Sequence, residues 1–167
     1  VIAGTLGKAA SGLALLSSDD ESLSASYPDL VSIQLRPVPD FALGLELAAV
    51  ASSMLDVSDG LSLDAGRLAS SSNVSLNIKK ELLEGYAAIL EQAAQSINSR
   101  DFEAEPVSEW DWILHGGEDH CFLATVSPTA ALPRGTKVIG EVVAKGDSDV
   151  YLSGQPLSPK GWDSVTG

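Results

Sequence analysis

The chain has 167 residues, 44% of them hydrophobic, enough for the core of one domain and too apolar for a disordered segment. Its 23 acidic residues against 10 lysines and arginines give a formal net charge of −13. That balance excludes a basic nucleic-acid-binding face, and an anionic substrate would be repelled unless metal ions bridged it to the protein. The single cysteine, Cys121, excludes an internal disulfide and fits a reducing, cytoplasmic compartment. No apolar run reaches membrane-spanning length and no signal peptide is visible. The chain opens on Val1-Ile2-Ala3-Gly4 without an initiator methionine, as a piece of a longer protein would.

In chain order, Val1 to Ala3 predicts a short buried strand. Gly4-Thr5-Leu6-Gly7 then turns into a helix over Lys8 to Leu16, rich in small residues. A glycine-bracketed turn at a helix start serves either anion binding or tight packing. Ser17 to Pro28, rich in serine and acid, reads as a loop, and Leu35 to Pro39 as an extended connector. Phe41 to Ala51 reads as a helix leading into Ser53-Met54-Leu55-Asp56-Val57-Ser58-Asp59-Gly60-Leu61. That stretch predicts a strand ending in a tight turn that opens a helix, with Ser58 and Asp59 as N-cap residues. Asp56 and Asp59, three apart, suit a hard cation such as Mg²⁺; the alternative from pattern alone is that Ser58 or Asp59 caps the helix and Asp56 sits solvated in the turn.

Leu61 to Ser70 has helical spacing, with Asp64 and Arg67 on its other side. Val74 to Ile78 alternates as a strand does. Lys79 to Ile97 is the longest helical pattern, with Gly85 as its point of weakness, and Asn98 to Glu109 is a polar loop. Trp110 and Trp112 lead to Gly116-Gly117-Glu118-Asp119, either a hairpin-type turn with solvated acids or a site of amides and carboxylates at a strand entrance. Two histidines, His115 and His120, with one cysteine make a zinc site improbable. A His120–Cys121 nucleophile pair would point to opposite faces of a strand, so Cys121 reads as a small core residue. Cys121 to Val126, Lys137 to Val143 and Val150 to Leu152 read as strands. Trp162, beside Gly161, either plugs the core or stacks on a ligand. Together these elements predict an α+β domain, a mixed β-sheet with helices packed on it.

Five motifs in this order resemble the thiamine-monophosphate kinase family of the AIR synthetase-related superfamily. They are Gly4-Thr5-Leu6-Gly7, Arg36-Pro37-Val38-Pro39, Asp56-Val57-Ser58-Asp59-Gly60-Leu61, Gly116-Gly117-Glu118-Asp119 and Gly161-Trp162-Asp163. The resemblance covers nearly the whole chain but only that family's C-terminal domain, residues 1–167 forming a single domain. The N-terminal domain, with further metal-binding acids and much of the nucleotide site, lies outside it. The resemblance implies transfer of the γ-phosphoryl of ATP to thiamine phosphate, giving thiamine diphosphate, with Mg²⁺. It implies Asp56 and Asp59 as metal ligands, Ser58 at the nucleotide, and Glu118 and Trp162 at the thiamine moiety. It also implies a homodimer of the full-length protein, no activity in this piece alone, and no nucleic-acid or membrane partner.

The chain departs from the family pattern at three places. His120-Cys121-Phe122 stands where Tyr-Glu-Leu is usual, His115 where a small hydroxyl residue is common, and Asp40 where a basic residue is frequent. The segment from Lys79 to Trp112 is also longer than usual. Two other readings are compatible with the sequence: another ATP-using member of the superfamily, resembling selenophosphate synthetase, the hydrogenase maturation factor or AIR synthetase, and a non-catalytic binding domain whose acidic turn is only a helix cap. The kinase reading expects Asp56 and Asp59 to be reachable from one cleft, and Glu118 and Trp162 to lie on one side.

Overall fold

A computed structural model of the chain describes residues 1–100 and 105–161, so Trp162 and Asp163 lie outside the described residues. In chain order the elements are β1 (Ile2–Ala3), α1 (Lys8–Leu16), α2 (Glu21–Ser26), α3 (Pro28–Leu35) and α4 (Phe41–Ala48). Then come β2 (Ala51–Val57), α5 (Leu61–Ser71), β3 (Val74–Ile78), α6 (Lys80–Asn98) and α7 (Glu109–His115). Strands β4 (Cys121–Val126), β5 (Thr136–Lys137), β6 (Gly140–Ala144), β7 (Val150–Leu152) and β8 (Gln155–Pro156) finish the order. The fold is α+β, as the alternation predicts, but its strands form two sheets of four rather than one. The first, in order β2-β4-β1-β5, is antiparallel throughout; the second, β6-β3-β7-β8, is mixed, with β3 parallel to β7.

The two-residue period of a strand sorts the first sheet's side chains onto two faces. Ile2, Val57, Cys121 and Leu123 enter the main core with Leu6, Leu15, Leu61, Leu83, Leu90 and Ile113. Ala3 and Ala124 face the other way, onto Leu47 of α4, with Met54 and Phe122 packed at the margin of this smaller cluster. Each fully buried Leu or Ile contributes roughly 1.5–3 kcal/mol. Asp56, two residues from Met54, therefore emerges on the α4 face of the sheet, while Val57 is buried behind it.

Two departures from the sequence reading have physical causes. The Ser17–Pro28 stretch is not all loop. Asp20 caps α2 by accepting from the Ser22 amide at 2.9 Å, Pro28 opens α3, and Leu23 and Leu30 are buried. In α2 the lone leucine, Leu23, is too little to show as a periodic stripe. Lys137 to Val143 is not one strand: β5 closes the first sheet, and the chain crosses at Val138–Ile139 to begin β6 in the second. Trp110 and Trp112 belong to a helix, α7, started by Ser108 accepting from the Trp110 amide at 3.2 Å. Gly85 does not interrupt α6, because the roughly 1 kcal/mol cost of one glycine is outweighed by the buried stripe of Leu83, Tyr86, Ala87, Leu90, Ala93 and Ala94 around it. Cys121 is buried, as expected, and burial pushes its thiol up.

Candidate functional site

Three of the motif turns meet at one end of the first sheet. The turn after β2 carries Ser58-Asp59-Gly60, the loop between α7 and β4 carries Gly116 to His120, and the turn before α1 carries Gly4 to Gly7. The Glu118 amide donates to Ser58 O at 2.8 Å, joining the first two. Asp119 joins the second to the third: its Oδ1 accepts from Thr5 Oγ1 at 2.8 Å and from the Lys8 amide at 3.2 Å. A Cβ on Gly117 would lie 2.4 Å from Ser58 O, so only glycine allows that approach.

The helix start differs from the sequence reading. Neither Ser58 nor Asp59 caps α5; Gly60 is the N-cap residue, and its side chain cannot bond. Instead Asp64, inside the first turn, reaches back so that its Oδ2 accepts from the Asp59 amide at 2.9 Å. Asp64 is almost fully buried, and Arg67 bridges it to Asp59, donating to Asp64 Oδ1 at 2.7 Å and to Asp59 Oδ2 at 2.5 Å. Asp59 Oδ1 also accepts from Ser58 Oγ at 3.1 Å. The two carboxylates raise the Arg67 guanidinium above its usual range. Asp64 and Arg67 read from sequence as an outer helix face. Their i,i+3 spacing was the available signal, but pairing across the turn to Asp59 needs the fold.

Asp56 and Asp59 consequently meet different surroundings. The Asp56 side chain is 59% exposed. It lines a groove of about 350 Å³ with Pro39, Phe41, Met54, His120 and Phe122. Asp59 is 18% exposed, engaged with Arg67, and outside that lining. Arg67 thus holds the Asp59 carboxylate toward α5. Among the described residues no three His, Cys, Asp or Glu side chains converge on a metal site. Glu118 is 63% exposed, and its Oε2 lies 3.3 Å from His120 Nε2. His120 Nδ1 in turn stands 3.8 Å from Asp56 Oδ2, so one imidazole spans the two open carboxylates. A larger groove of about 630 Å³ lies between the two sheets, lined by Leu76, Leu123, Val126 and Val142, and contains none of the motif acids.

Behind the turn, Ser62 Oγ donates to Lys160 O at 2.8 Å and accepts from the Lys160 amide at 3.1 Å. The same hydroxyl also lies 2.8 Å from His115 Nδ1 and hydrogen-bonds it. The same tail brings Gly161 against Asp59, where a Cβ on Gly161 would lie 2.1 Å from the Asp59 carbonyl oxygen. Trp162 follows directly, outside the described residues.

Burial lowers the His115 pKa from its usual 6.5, Lys160 adds to that, and Asp111 opposes it. The unfolded chain therefore takes up this proton at higher pH than the folded one. The His115 contribution to stability is complete above about pH 6.5 and is lost as pH falls through and below that value. His115→Asn keeps a hydrogen-bonding group near the Nδ1 position but cannot titrate. In urea unfolding at about pH 7.5 and about pH 5.5, this variant should lose less stability on acidification than the wild type. Equal losses would show that His115 does not contribute.

No family model matches the chain. A curated thiamine-monophosphate kinase from Mycobacterium tuberculosis (strain ATCC 25618 / H37Rv) is 32% identical over 166 residues, covering 98% of this chain and 45% of the relative. A crystal structure of thiamine monophosphate kinase from Aquifex aeolicus superposes with a TM-score of 0.71 at 27% identity, covering 95% of this chain and 50% of that one. A second structure, of AaThiL complexed with AMPPCP and TMP, superposes with a TM-score of 0.70 at 27% identity over 98% of this chain and 50% of that one. The chain spans about half the length of the relatives it matches. No helix among the described residues is long and apolar enough to cross a membrane.

Proposed function

We propose, from the premise that this chain belongs with the thiamine-monophosphate kinases, that it forms the C-terminal domain of such an enzyme. In this reading the full-length protein transfers the γ-phosphoryl of ATP to thiamine phosphate, yielding thiamine diphosphate and ADP. The observation that carries it is the meeting of the acidic turn, the Gly-Gly-Glu-Asp loop and the Gly-Thr-Leu-Gly turn through the Glu118–Ser58 and Asp119–Thr5 hydrogen bonds. Residues far apart in sequence, each unremarkable alone, form one surface.

Mg²⁺, when bound, would supply the positive charge that a chain of net charge −13 lacks for holding a triphosphate. Asp56 fits such an ion, as a carboxylate more than half exposed whose Oδ2 stands beside His120. Asp59, now paired with Arg67, is the second candidate ligand. Ser58 presents its hydroxyl beside them toward the nucleotide. Glu118 accepts from the amino-substituted pyrimidine of thiamine phosphate, and Trp162 covers that ring with its indole face. The position of Gly161 against Asp59 supports this last role by bringing the tail to the site. The N-terminal half of the enzyme completes the metal shell and the nucleotide pocket, and the full-length enzyme works as a cytoplasmic homodimer.

Two acids do not complete the shell of a Mg²⁺ ion, which also takes waters, phosphates and further carboxylates. The 167-residue chain alone should therefore show no kinase activity and bind Mg-ATP only weakly. A coupled assay with ATP, Mg²⁺ and thiamine phosphate on the full-length protein and on this piece, with calorimetry of Mg-ATP on both, checks this. Tight Mg-ATP binding by the piece alone would overturn the division of the site. No turnover of thiamine phosphate by the full-length protein would overturn the assignment itself.

A further inference from the structure

We infer that Asp119 is the positioning residue for Glu118, acting by pinning the loop between α7 and β4 to the start of α1. The inference rests on the proposed role of Glu118 toward thiamine phosphate and adds a residue to that site.

Glu118 has φ of 68° and His120 has φ of 49°, so two non-glycine residues flanking Asp119 both occupy the left-handed region. Histidine enters that region more readily than most residues, but Glu118 is of a type that rarely does, and such backbone persists only where its surroundings over-determine it. The Glu118 side chain does not hold it there: it is largely exposed and meets only His120 Nε2, at 3.3 Å. The direction of the Glu118 carboxylate is therefore a property of the backbone at 117–120. Two anchors hold that backbone. One is the bond from the Glu118 amide to Ser58 O. The other is Asp119, which is 7% exposed and reaches across the sheet end to Thr5 and Lys8.

Asp119 also meets a need of α1. The N-cap of that helix, Gly7, has no side chain to offer, and the Asp119 carboxylate supplies the acceptor from 111 residues away. The positive end of the helix dipole favours the negative charge there. Burial raises the Asp119 pKa, while the Thr5 hydroxyl and the amides of Ala9, Gly7 and Lys8 act against the rise. Its Oδ2 is buried and meets no hydrogen-bond partner among the described residues. A carboxylate chosen only to cap a helix would sit at the surface, where its second oxygen keeps water. Burial locks the side chain in place, and through the backbone it sets the two left-handed residues beside it. Glu118 and His120 thereby project together beside Asp56.

The test uses the full-length protein with Asp119→Asn, Glu118→Gln and the double variant. If Asp119 acts through Glu118, Asp119→Asn raises KM for thiamine phosphate by about tenfold or more, the loss of one hydrogen bond to a charged group. KM for ATP stays within about twofold, and the double variant is no worse than Glu118→Gln. Full additivity in the double variant, or a rise in both KM values together with a fall in melting temperature, overturns the inference. Amide exchange reads the clamp without substrate. The Glu118 amide, bonded to Ser58 O in the wild type, should exchange at least about tenfold faster in Asp119→Asn, while the Leu123 amide in the sheet interior keeps its protection. Unchanged protection at Glu118 overturns the clamp whatever the kinetics show. An unchanged KM in Glu118→Gln instead defeats the substrate role of Glu118, and the exchange result then decides the clamp by itself. Thr5→Val, which removes one of the two donors and leaves the carboxylate, should move both readouts the same way by less. It serves if Asp119→Asn does not fold.

Discussion

Asp56→Asn in the full-length protein should slow phosphoryl transfer by about 10²–10³-fold, the usual cost of removing one preorganised electrostatic group from a site. Stability should change by no more than about 0.5 kcal/mol, as for a surface substitution away from any packed feature. The separation of the two effects follows from the structure. The Asp56 side chain is more than half exposed, His120 Nδ1 stands 3.8 Å from its Oδ2, and the strand around it is held by its pairing with β4. Nothing in the fold depends on the Asp56 charge. Phosphoryl transfer does, because its transition state is stabilised by position and charge rather than by covalent participation of the protein. Steady-state kinetics alongside urea unfolding measures both quantities. Equal losses in rate and stability would make Asp56 a structural turn residue.

Gly60→Ala should cost about 3 kcal/mol or more of stability. Gly60 has φ of 119° and ψ of 143°, a region open essentially only to glycine, and an added Cβ would stand 2.6 Å from the His115 carbonyl oxygen. Both obstacles are backbone, so no side-chain rotation relieves them. The turn would have to move, taking Asp59 and the start of α5 with it and separating them from the Gly116–Gly117 loop. Activity of the full-length protein should fall along with stability. Gly85→Ala is the control: it lies in α6 with open space around its Cβ position, and it should stabilise by about 0.5–1 kcal/mol. Similar unfolding midpoints for the two variants would refute the assignment of strain to Gly60.

Local chemistry decided a large part of this protein before any tertiary contact. The β2–turn–α5 unit was legible because an apolar run, an Asp-Val-Ser-Asp-Gly cluster and a helical pattern follow each other without interruption. α6 and β3 were legible because their apolar residues keep one period throughout, 3.6 in the first and 2 in the second. The order of five short motifs was likewise a property of the sequence, and it pointed to the family without any geometry.

What only the tertiary structure decided is which of these groups share a surface. Asp64 and Arg67 look like an ordinary solvated helix face. Only the bend of the turn at Gly60 brings the Asp59 amide and carboxylate within their reach. Thr5 and Asp119 bond across 114 residues of sequence because β1 and β4 are neighbours in the first sheet, and strand pairing at that range leaves no local pattern. β5 and β6 read as one strand because Lys137 to Val143 is rich in β-branched residues, Val138, Ile139, Val142 and Val143, yet the chain leaves one sheet for the other between them. A strand's period records which side chains face a core; it does not record which sheet supplies that core, and that choice depends on packing the whole chain at once.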